Sequence, residues 1–301
     1  MSEVSNIVGY LNNSFNKKIS KKKNFNKKKT KKNKNLIHLN KHDFLIAKQV
    51  ISVNLLKKIK KKLEKNLTPK NVFYPKDTSD LNKKSFDNLY KKNRTIKFWR
   101  KFPKISHEEH LQGMKLWSRK CNYIVLKNVE KLSPEIKKIK NIPRIKNITD
   151  FYFKDLKYKH VYSKVIYTFK NKKYPIDTQV FHNDLDGVKV LKIFIYLNSV
   201  KKLSEGPTQF LTNSNIFSKA NQNKLANWKY RLLDKNKDKY FKKSKIISFL
   251  GKLGDAFFLN TGFYHRGSIP KDKSRMLLIL TFNCHSELTT ARKRTRGKFK
   301  V

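Results

Sequence analysis

The sequence is poor in acidic residues, glycine, proline and cysteine. Its 301 residues include 21 Asp and Glu, nine Gly, eight Pro and two Cys. Two cysteines, Cys121 and Cys284, with no CxxC pair, provide neither a disulfide framework nor a zinc site, so a reducing cytoplasmic location is expected. The first 18 residues lack the continuous apolar core of a secretory leader. No apolar run approaches the length of about 18 residues that a membrane span needs.

The shortage of acidic residues leaves a formal net charge of +51, from 72 Lys and Arg. Such a charge ordinarily indicates nucleic acid or an anionic membrane as a partner. Only ten of the 72 are Arg, the residue better suited to bidentate phosphate recognition and to stacking on bases. Abundant Asn and Ile beside the Lys favour compositional bias over a selected binding face. We expect weak, salt-sensitive binding to polyanions in vitro, and do not favour nucleic acid as the main partner.

Two basic segments flank the rest of the chain. Residues 17–34 hold eleven Lys and no acidic residue, too little apolar content to offset the entropy of ordering. We therefore expect a disordered basic tail over 1–35, either a solvated leader or a polyanion-binding arm, and a second basic tail over 286–301. The candidate site residues are far apart in sequence and must meet in one core. A single domain over 36–285 is predicted.

The chain before residue 150 predicts helices and one irregular stretch. Apolar residues at three- and four-residue spacing and capping residues predict helices over 42–67, 106–120 and 134–139. The first would lie on a membrane surface or, as we favour, pack against the outside of a β core. The aromatic-rich stretch 68–105 is either a substrate lid or ordinary packing. His107 and His110 share one helical face, but no third ligand is near, so we interpret them as surface residues.

From residue 151 the pattern changes to short runs of Val, Ile, Phe and Tyr bounded by Gly, Pro, Asn and Asp. Strands are predicted over 161–169, 178–182, 188–197, 208–211, 246–249, 255–259 and 276–282. A helical insertion over 218–238 separates two groups of these strands. Several short strands with one helical insertion predict a mainly β protein with flanking helices (α+β), built on a jelly-roll core.

Three residues in this β region can serve as metal ligands. His182 and Asp184 lie at i and i+2, so an extended chain places both on one face and Asn183 on the other. His265 follows a Gly-containing loop, in a stretch predicted to be an exposed turn. Two histidines and a carboxylate, with other positions open, form the facial triad of non-haem Fe(II) oxygenases. An HxD pair alone is common by chance, so the hypothesis requires that all three meet.

Arg275 directly precedes the apolar strand MLLILTF, so we predict that its cationic side chain is buried. A charge in such a place is costly unless it is paired. Its partner is either a protein carboxylate, Asp255 or Asp272, or the carboxylate of a ligand. The planar guanidinium can make two charge-assisted hydrogen bonds to such a ligand. Its position ten residues beyond His265 suits the anchor of a dicarboxylate cosubstrate.

Taken in order, five short elements resemble the phytanoyl-CoA dioxygenase family of Fe(II)/2-oxoglutarate oxygenases. They are His182-Asn183-Asp184, Gly206-Pro207, Gly254-Asp255, His265-Arg266-Gly267 and Arg275. The resemblance covers about residues 151–285 and implies a double-stranded β-helix (cupin-like) core. It also implies that His182, Asp184 and His265 hold Fe(II) and that Arg275 binds the distal carboxylate of 2-oxoglutarate. Gln179 is a weaker candidate for the cosubstrate's other end. Where many members carry a PGSH-like turn, this chain has LTNSN at 211–215.

The resemblance implies a dioxygenase that uses O2 and converts 2-oxoglutarate to succinate and CO2 while it hydroxylates a small organic metabolite. Related halogenases have a small residue where this chain has Asp184, so a carboxylate there argues for hydroxylation. Two alternatives are kept. One is an oxygenase of the same type that acts on nucleic acid or protein, with the lysines steering it. The other is a non-enzymatic, basic polyanion-binding protein on a jelly-roll scaffold.

Overall fold

The computed structural model describes most of the chain between residues 34 and 284. The described segments are 34–68, 71–75, 99–101, 121–154, 156–171, 175, 177–184, 189–216, 218, 221, 231–234 and 237–284. Residues 1–33, the tail over 286–301 and the predicted helix over 106–120, with His107 and His110, lie outside them, as does most of 68–105. The predictions for those stretches, and the prediction of a single domain over 36–285, stay predictions.

Within the described residues, thirteen strands form two antiparallel sheets. The strands are β1 (Phe44–Ala47), β2 (Val72–Pro75), β3 (Trp99–Lys101), β4 (Tyr123–Leu126), β5 (Lys159–Thr168), β6 (Phe181–His182), β7 (Val190–Tyr196), β8 (Thr208–Leu211), β9 (Arg231–Leu232), β10 (Ile246–Phe249), β11 (Ala256–Leu259), β12 (His265–Gly267) and β13 (Arg275–Asn283). The larger sheet has the order β1-β11-β7-β13-β5-β4-β2-β3, and the smaller has the order β10-β8-β12-β6-β9. This is the mainly β, jelly-roll architecture that the sequence predicted.

The side chains of the larger sheet alternate between two buried layers. In β13, Leu277 and Ile279 pack in one cluster with Phe210 and Phe249 of the smaller sheet. The even-numbered residues of β13 belong to a separate cluster on the opposite face: Met276, Leu278, Leu280 and Phe282. Because successive side chains of a strand point to opposite faces, the odd-numbered residues of β13, Arg275 among them, face the space between the sheets. We call this space the barrel interior.

The described helices include α1 (Lys34–His42), α2 (Val53–Lys65), α3 (Val129–Leu132), α4 (Glu135–Ile139), α5 (Pro143–Phe153) and α6 (Lys237–Tyr240). Leu56, Ile59 and Leu63 of α2 are buried in the same cluster as Leu278 and Leu280 of β13. The apolar stripe of α2 therefore packs on the outer face of the larger sheet, as we favoured. None of the helices in the described segments has the length and apolar character needed to cross a membrane.

The prediction of one continuous helix over 42–67 was wrong in its first half. Phe44–Ala47 is a strand that pairs with β11, and its residues alternate between half-buried and buried. Asp43 and Gln49 on either side adopt positive φ values of 59° and 49°, which no right-handed helix contains. Sheet pairing with a strand more than 200 residues away overrides the local helical periodicity here.

The predicted helix over 134–139 is confirmed as α4, and the strand predictions for the region after residue 151 are largely confirmed. Those over 208–211 and 246–249 match β8 and β10 at both ends. The stretch 178–182 is instead a 3-10 turn, Asp177–Gln179, followed by the two-residue strand β6. The helical insertion over 218–238 was wrong in part. Within its described residues it contains β9, which pairs with β6, and only its last two residues enter α6.

The packing of α2 on the outer face of the sheet gives a stability prediction. Ile59 is completely buried, so Ile59→Ala leaves a cavity and should lower the free energy of unfolding by about 2–5 kcal/mol. Lys57→Ala, at an exposed position of the same helix, should change it by less than about 0.5 kcal/mol. Urea unfolding of the full chain measures both. Equal effects of the two substitutions would contradict this packing.

Candidate metal centre

The three candidate ligands meet on one face of the smaller sheet. His182 of β6 and His265 of β12 are direct partners in the antiparallel register, and their ring centroids lie 4.4 Å apart. Asp184 follows two residues after His182, and its backbone N–H donates to the Thr261 carbonyl at 2.9 Å. One potential ligand atom from each of His182, Asp184 and His265 lies within 4.8 Å of the other two. This spacing suits three ligands around one ion.

His265 lies in a strand, and the prediction of an exposed turn at this position was wrong. The residue is 5% exposed because β12 is held on both edges, by β6 and by β8. His182 is also 5% exposed. Both imidazoles therefore reach the candidate site from inside the protein, where bulk water does not compete for their nitrogens.

The hydrogen bonds of the two imidazoles select the tautomer that a metal ligand needs. His182 Nδ1 lies 3.0 Å from the Val180 carbonyl oxygen, and His265 Nδ1 lies 2.9 Å from the Phe263 carbonyl oxygen. A carbonyl only accepts, so each Nδ1 carries the proton and donates. Nε2 is then the ring nitrogen that each histidine would present to a metal. Backbone contacts of this kind commonly fix metal-binding histidines, so the donor set fits an ion such as Fe(II).

Asp184 is kept ionised by its neighbours. Burial alone would raise its pKa, but the Lys192 ammonium holds the pKa of this carboxyl well below its usual range. Lys192 Nζ lies 2.5 Å from Asp184 Oδ2, and His265 Nε2 lies 3.4 Å from the same oxygen. Asp184 is therefore available as an anionic ligand without first losing a proton.

Arg275 is buried in the barrel interior, where none of the described carboxylates forms an ion pair with it. It is 2% exposed, and burial lowers the pKa of its guanidinium. Its Nη1 donates to the Gly206 carbonyl, and its Nη2 donates to Thr168 Oγ1 at 3.1 Å. Its Nε has no partner among the described residues. A buried cation with neutral partners alone is costly, so the site favours an anionic ligand.

Both protein carboxylates considered as partners of Arg275 lie elsewhere. Asp255 accepts hydrogen bonds from the Gln49 and Lys252 backbone N–H groups at 3.0 and 2.9 Å. Asp272 contacts the Ser204 hydroxyl. The reading of Arg275 as a partner of a protein carboxylate is therefore wrong within the described residues.

Two of the glycine motifs are structural, and one of them also positions Arg275. Gly254 has a φ of +99°, and a Cβ there would lie 2.8 Å from the Ile51 carbonyl oxygen. Gly206 has a φ of +70°, and a Cβ there would lie 2.6 Å from the Pro270 backbone nitrogen. Only glycine tolerates both constraints. Because Gly206 adopts this turn, its carbonyl reaches the Arg275 guanidinium.

The third glycine sets the distance between the guanidinium and the histidines. A Cβ on Gly267 would lie 2.6 Å from Arg275 Nη2, so the guanidinium rests directly against β12 at this residue. Gly267 lies two residues beyond His265 on the same strand and faces the same side. Two residues of extended chain span about 7 Å. The guanidinium and the candidate metal ligands thus lie on one face of β12. Their separation along this strand is about the length of a five-carbon dicarboxylate.

Gln179 is buried at the 3-10 turn before β6, where its side-chain oxygen accepts a hydrogen bond from Asn122 at 2.8 Å. This contact ties it to the segment that precedes β4. Its binding to a cosubstrate stays a prediction.

Lys192 is a charged side chain at the centre that the sequence-based reasoning missed. It lies in the middle of β7, VLKIFIY, where all seven residues are buried. A single lysine inside an otherwise apolar strand was a usable signal, because a buried ammonium needs a partner. The partner, Asp184, lies only eight residues earlier in the chain.

Comparison with known proteins supports the fold. No protein-family model matches the sequence, and no curated protein matches it at a significant level. Among solved structures, HygX from Streptomyces hygroscopicus, with nickel and 2-oxoglutarate bound, is 11% identical with a TM-score of 0.50, over 85% of this chain and 89% of HygX. SnoK from nogalamycin biosynthesis, a non-haem 2-oxoglutarate-dependent carbocyclase, is 12% identical with a TM-score of 0.53, over 84% of both chains. The chain has the fold of these non-haem 2-oxoglutarate-dependent enzymes.

Proposed function

We propose that the chain is an Fe(II)/2-oxoglutarate-dependent dioxygenase that hydroxylates a small organic metabolite. One observation carries the proposal. Three potential ligand atoms of His182, Asp184 and His265 converge, and the buried guanidinium of Arg275 rests against Gly267, two residues beyond His265 on β12. A metal triad alone fits many ions and reactions. The triad with a cation at this spacing fits an iron chelated by one end of 2-oxoglutarate, whose distal carboxylate binds Arg275.

The shared fold supports this assignment of cofactors. HygX holds nickel and 2-oxoglutarate, and SnoK is named as a 2-oxoglutarate-dependent enzyme. SnoK is a carbocyclase, so the fold accommodates outcomes other than hydroxylation. Our proposal of hydroxylation rests on Asp184, because a carboxylate in that position fills the place that chloride needs in related halogenases.

Each side chain of the centre has a defined task in the proposed reaction. His182 and His265 would present Nε2 to the metal, because their Nδ1 atoms are engaged by backbone carbonyls. Asp184 adds one negative charge, and Arg275 orients and neutralises the distal carboxylate. When bound, Fe(II) activates O2 for substrate oxidation, coupled to conversion of 2-oxoglutarate to succinate and CO2. The burial of the two histidines limits the access of bulk water to this chemistry.

A polymeric substrate is the second candidate, favoured by the net charge of +51. An oxygenase steered to nucleic acid would lose turnover steeply as salt rises, because bound counterions are released on association. Turnover on a small neutral metabolite would be nearly independent of salt. The salt dependence of succinate release on each substrate class separates the two candidates.

The metal and cosubstrate are tested together by anaerobic titration with Fe(II) and 2-oxoglutarate. The two should bind at one equivalent each and produce a weak metal-to-ligand charge-transfer band in the visible spectrum. His182→Ala removes one of three ligands and should abolish the band. His160→Ala is the matched control, because His160 lies on β5 and contacts Ser163, and it should leave the band intact. Absence of the band from the wild type would refute the proposal.

Gly267→Ala tests the anchoring role of Arg275. The added Cβ would overlap Arg275 Nη2 and displace the guanidinium, so affinity for 2-oxoglutarate should fall at least roughly tenfold, the equivalent of one lost charged hydrogen bond. Affinity for Ni(II) alone should be unchanged, because the three ligands are not moved. Calorimetric titration measures both constants. Unchanged 2-oxoglutarate affinity would place the distal carboxylate elsewhere.

The reaction type is tested with labelled oxygen. A metabolite library scored by succinate release identifies a substrate, and the reaction is then run under 18O2. Hydroxylation should place one labelled atom in the product and the other in succinate, as mass spectrometry shows. A product that forms with stoichiometric succinate but carries no label would indicate cyclisation, epimerisation or desaturation.

A further inference from the structure

The barrel interior contains a second cation beside the candidate metal ligands. Lys192 is 3% exposed, and its Nζ lies 2.5 Å from Asp184 Oδ2. In the register of the larger sheet it is flanked by Leu259 of β11 and Thr281 of β13. Its side chain shares the interior face with Phe194 and Tyr196, which belong to the cluster between the sheets. The ammonium is therefore held inside the protein, against an anionic ligand.

Lys192 contacts the carboxylate oxygen of Asp184 that faces His265. This oxygen, Oδ2, lies 3.4 Å from His265 Nε2, the ring nitrogen that would bind a metal together with Asp184. An ammonium and a divalent ion on that oxygen would repel each other at short range inside a buried site. The two cations therefore compete for the charge of Asp184.

Lys192 does not belong to the proposed anchor of 2-oxoglutarate. Its register partner on β13 is Thr281, whereas Arg275 begins that strand six residues earlier. Six residues of extended chain span about 20 Å. The two buried cations thus lie on opposite sides of His265, and the role of Lys192 concerns Asp184 rather than the distal carboxylate.

We propose that Lys192 is a built-in competitor for the metal: its ammonium neutralises Asp184 in the metal-free protein and is displaced from that carboxylate when the ion binds. The inference rests on the metal site of the proposed function. Without Lys192, the metal-free protein buries an uncompensated carboxylate, which is strongly unfavourable. A divalent ion then both removes that penalty and meets no neighbouring ammonium. Lys192 therefore stabilises the empty fold and weakens the metal affinity.

The experiment compares three substitutions by calorimetric titration with Ni(II) and by thermal unfolding of the metal-free full chain. Lys192→Met removes the charge and keeps the length of the side chain, and Lys192→Arg keeps the charge. Lys57→Met is the control. Lys57 is an exposed residue of α2, the helix that packs on the outer face of the larger sheet, away from the barrel interior.

For Lys192→Met the two measurements should move in opposite directions. The melting temperature of the metal-free protein should fall, and the affinity for Ni(II) should rise at least roughly tenfold as one repelling charge is removed. Lys192→Arg should retain the weaker affinity of the wild type, and Lys57→Met should change neither value. If Lys192→Met does not fold without metal, Lys192→Gln, which keeps a hydrogen-bond donor for Asp184, takes its place with the same expected signs.

Other outcomes overturn the proposal in distinguishable ways. Equal or weaker Ni(II) affinity in Lys192→Met, with normal binding by the wild type, would show that Lys192 only supports the fold or orients Asp184. The proposed function would survive that result. Binding by Lys192→Met but not by the wild type would support the competition and refute the iron enzyme. No binding by either protein would overturn both.

Discussion

The centre depends on one pairing in the smaller sheet, where His182 and His265 face each other across β6 and β12. Both strands are short, and β6 has only two residues, so local propensity contributes little to the register. The register is fixed by β8, which pairs with the other edge of β12, by β9, which pairs with the other edge of β6, and by the packing of the interior face against the larger sheet. A slip of one residue in either strand would turn the imidazole of that strand to the wrong face, and the three ligand atoms would no longer converge.

The second constraint is that the barrel interior holds charges in a largely apolar space. Arg275 and Lys192 are both nearly inaccessible to water, and each is costly unless its charge is matched. Lys192 is matched by Asp184 within the chain. Among the described residues, Arg275 donates hydrogen bonds to neutral oxygens, so we expect a ligand to supply the matching charge. This difference is the reason that we propose a cosubstrate as the partner of Arg275 and a role within the protein for Lys192.

The sequence allowed much of this to be predicted, because spacing and burial carry the signal. The i, i+2 spacing of His182 and Asp184 places both on one face, and Arg275 was marked by its position before an apolar strand. The apolar runs of β7 and β13 were equally visible. The short strands β1 and β9 were missed, because their pairing with distant strands outweighs local periodicity. The contact of Lys192 with Asp184, and the support of the guanidinium by Gly267, require three-dimensional register that one sequence does not specify.

We propose above all that His182, Asp184 and His265 hold one iron with positions left open for 2-oxoglutarate and O2. Electron paramagnetic resonance of the anaerobic Fe(II) protein with nitric oxide, an O2 analogue, tests this most directly. We predict a high-spin iron–nitrosyl signal that changes its line shape when 2-oxoglutarate is added. A signal that ignores 2-oxoglutarate, or no signal in the iron-treated wild type, would contradict the claim.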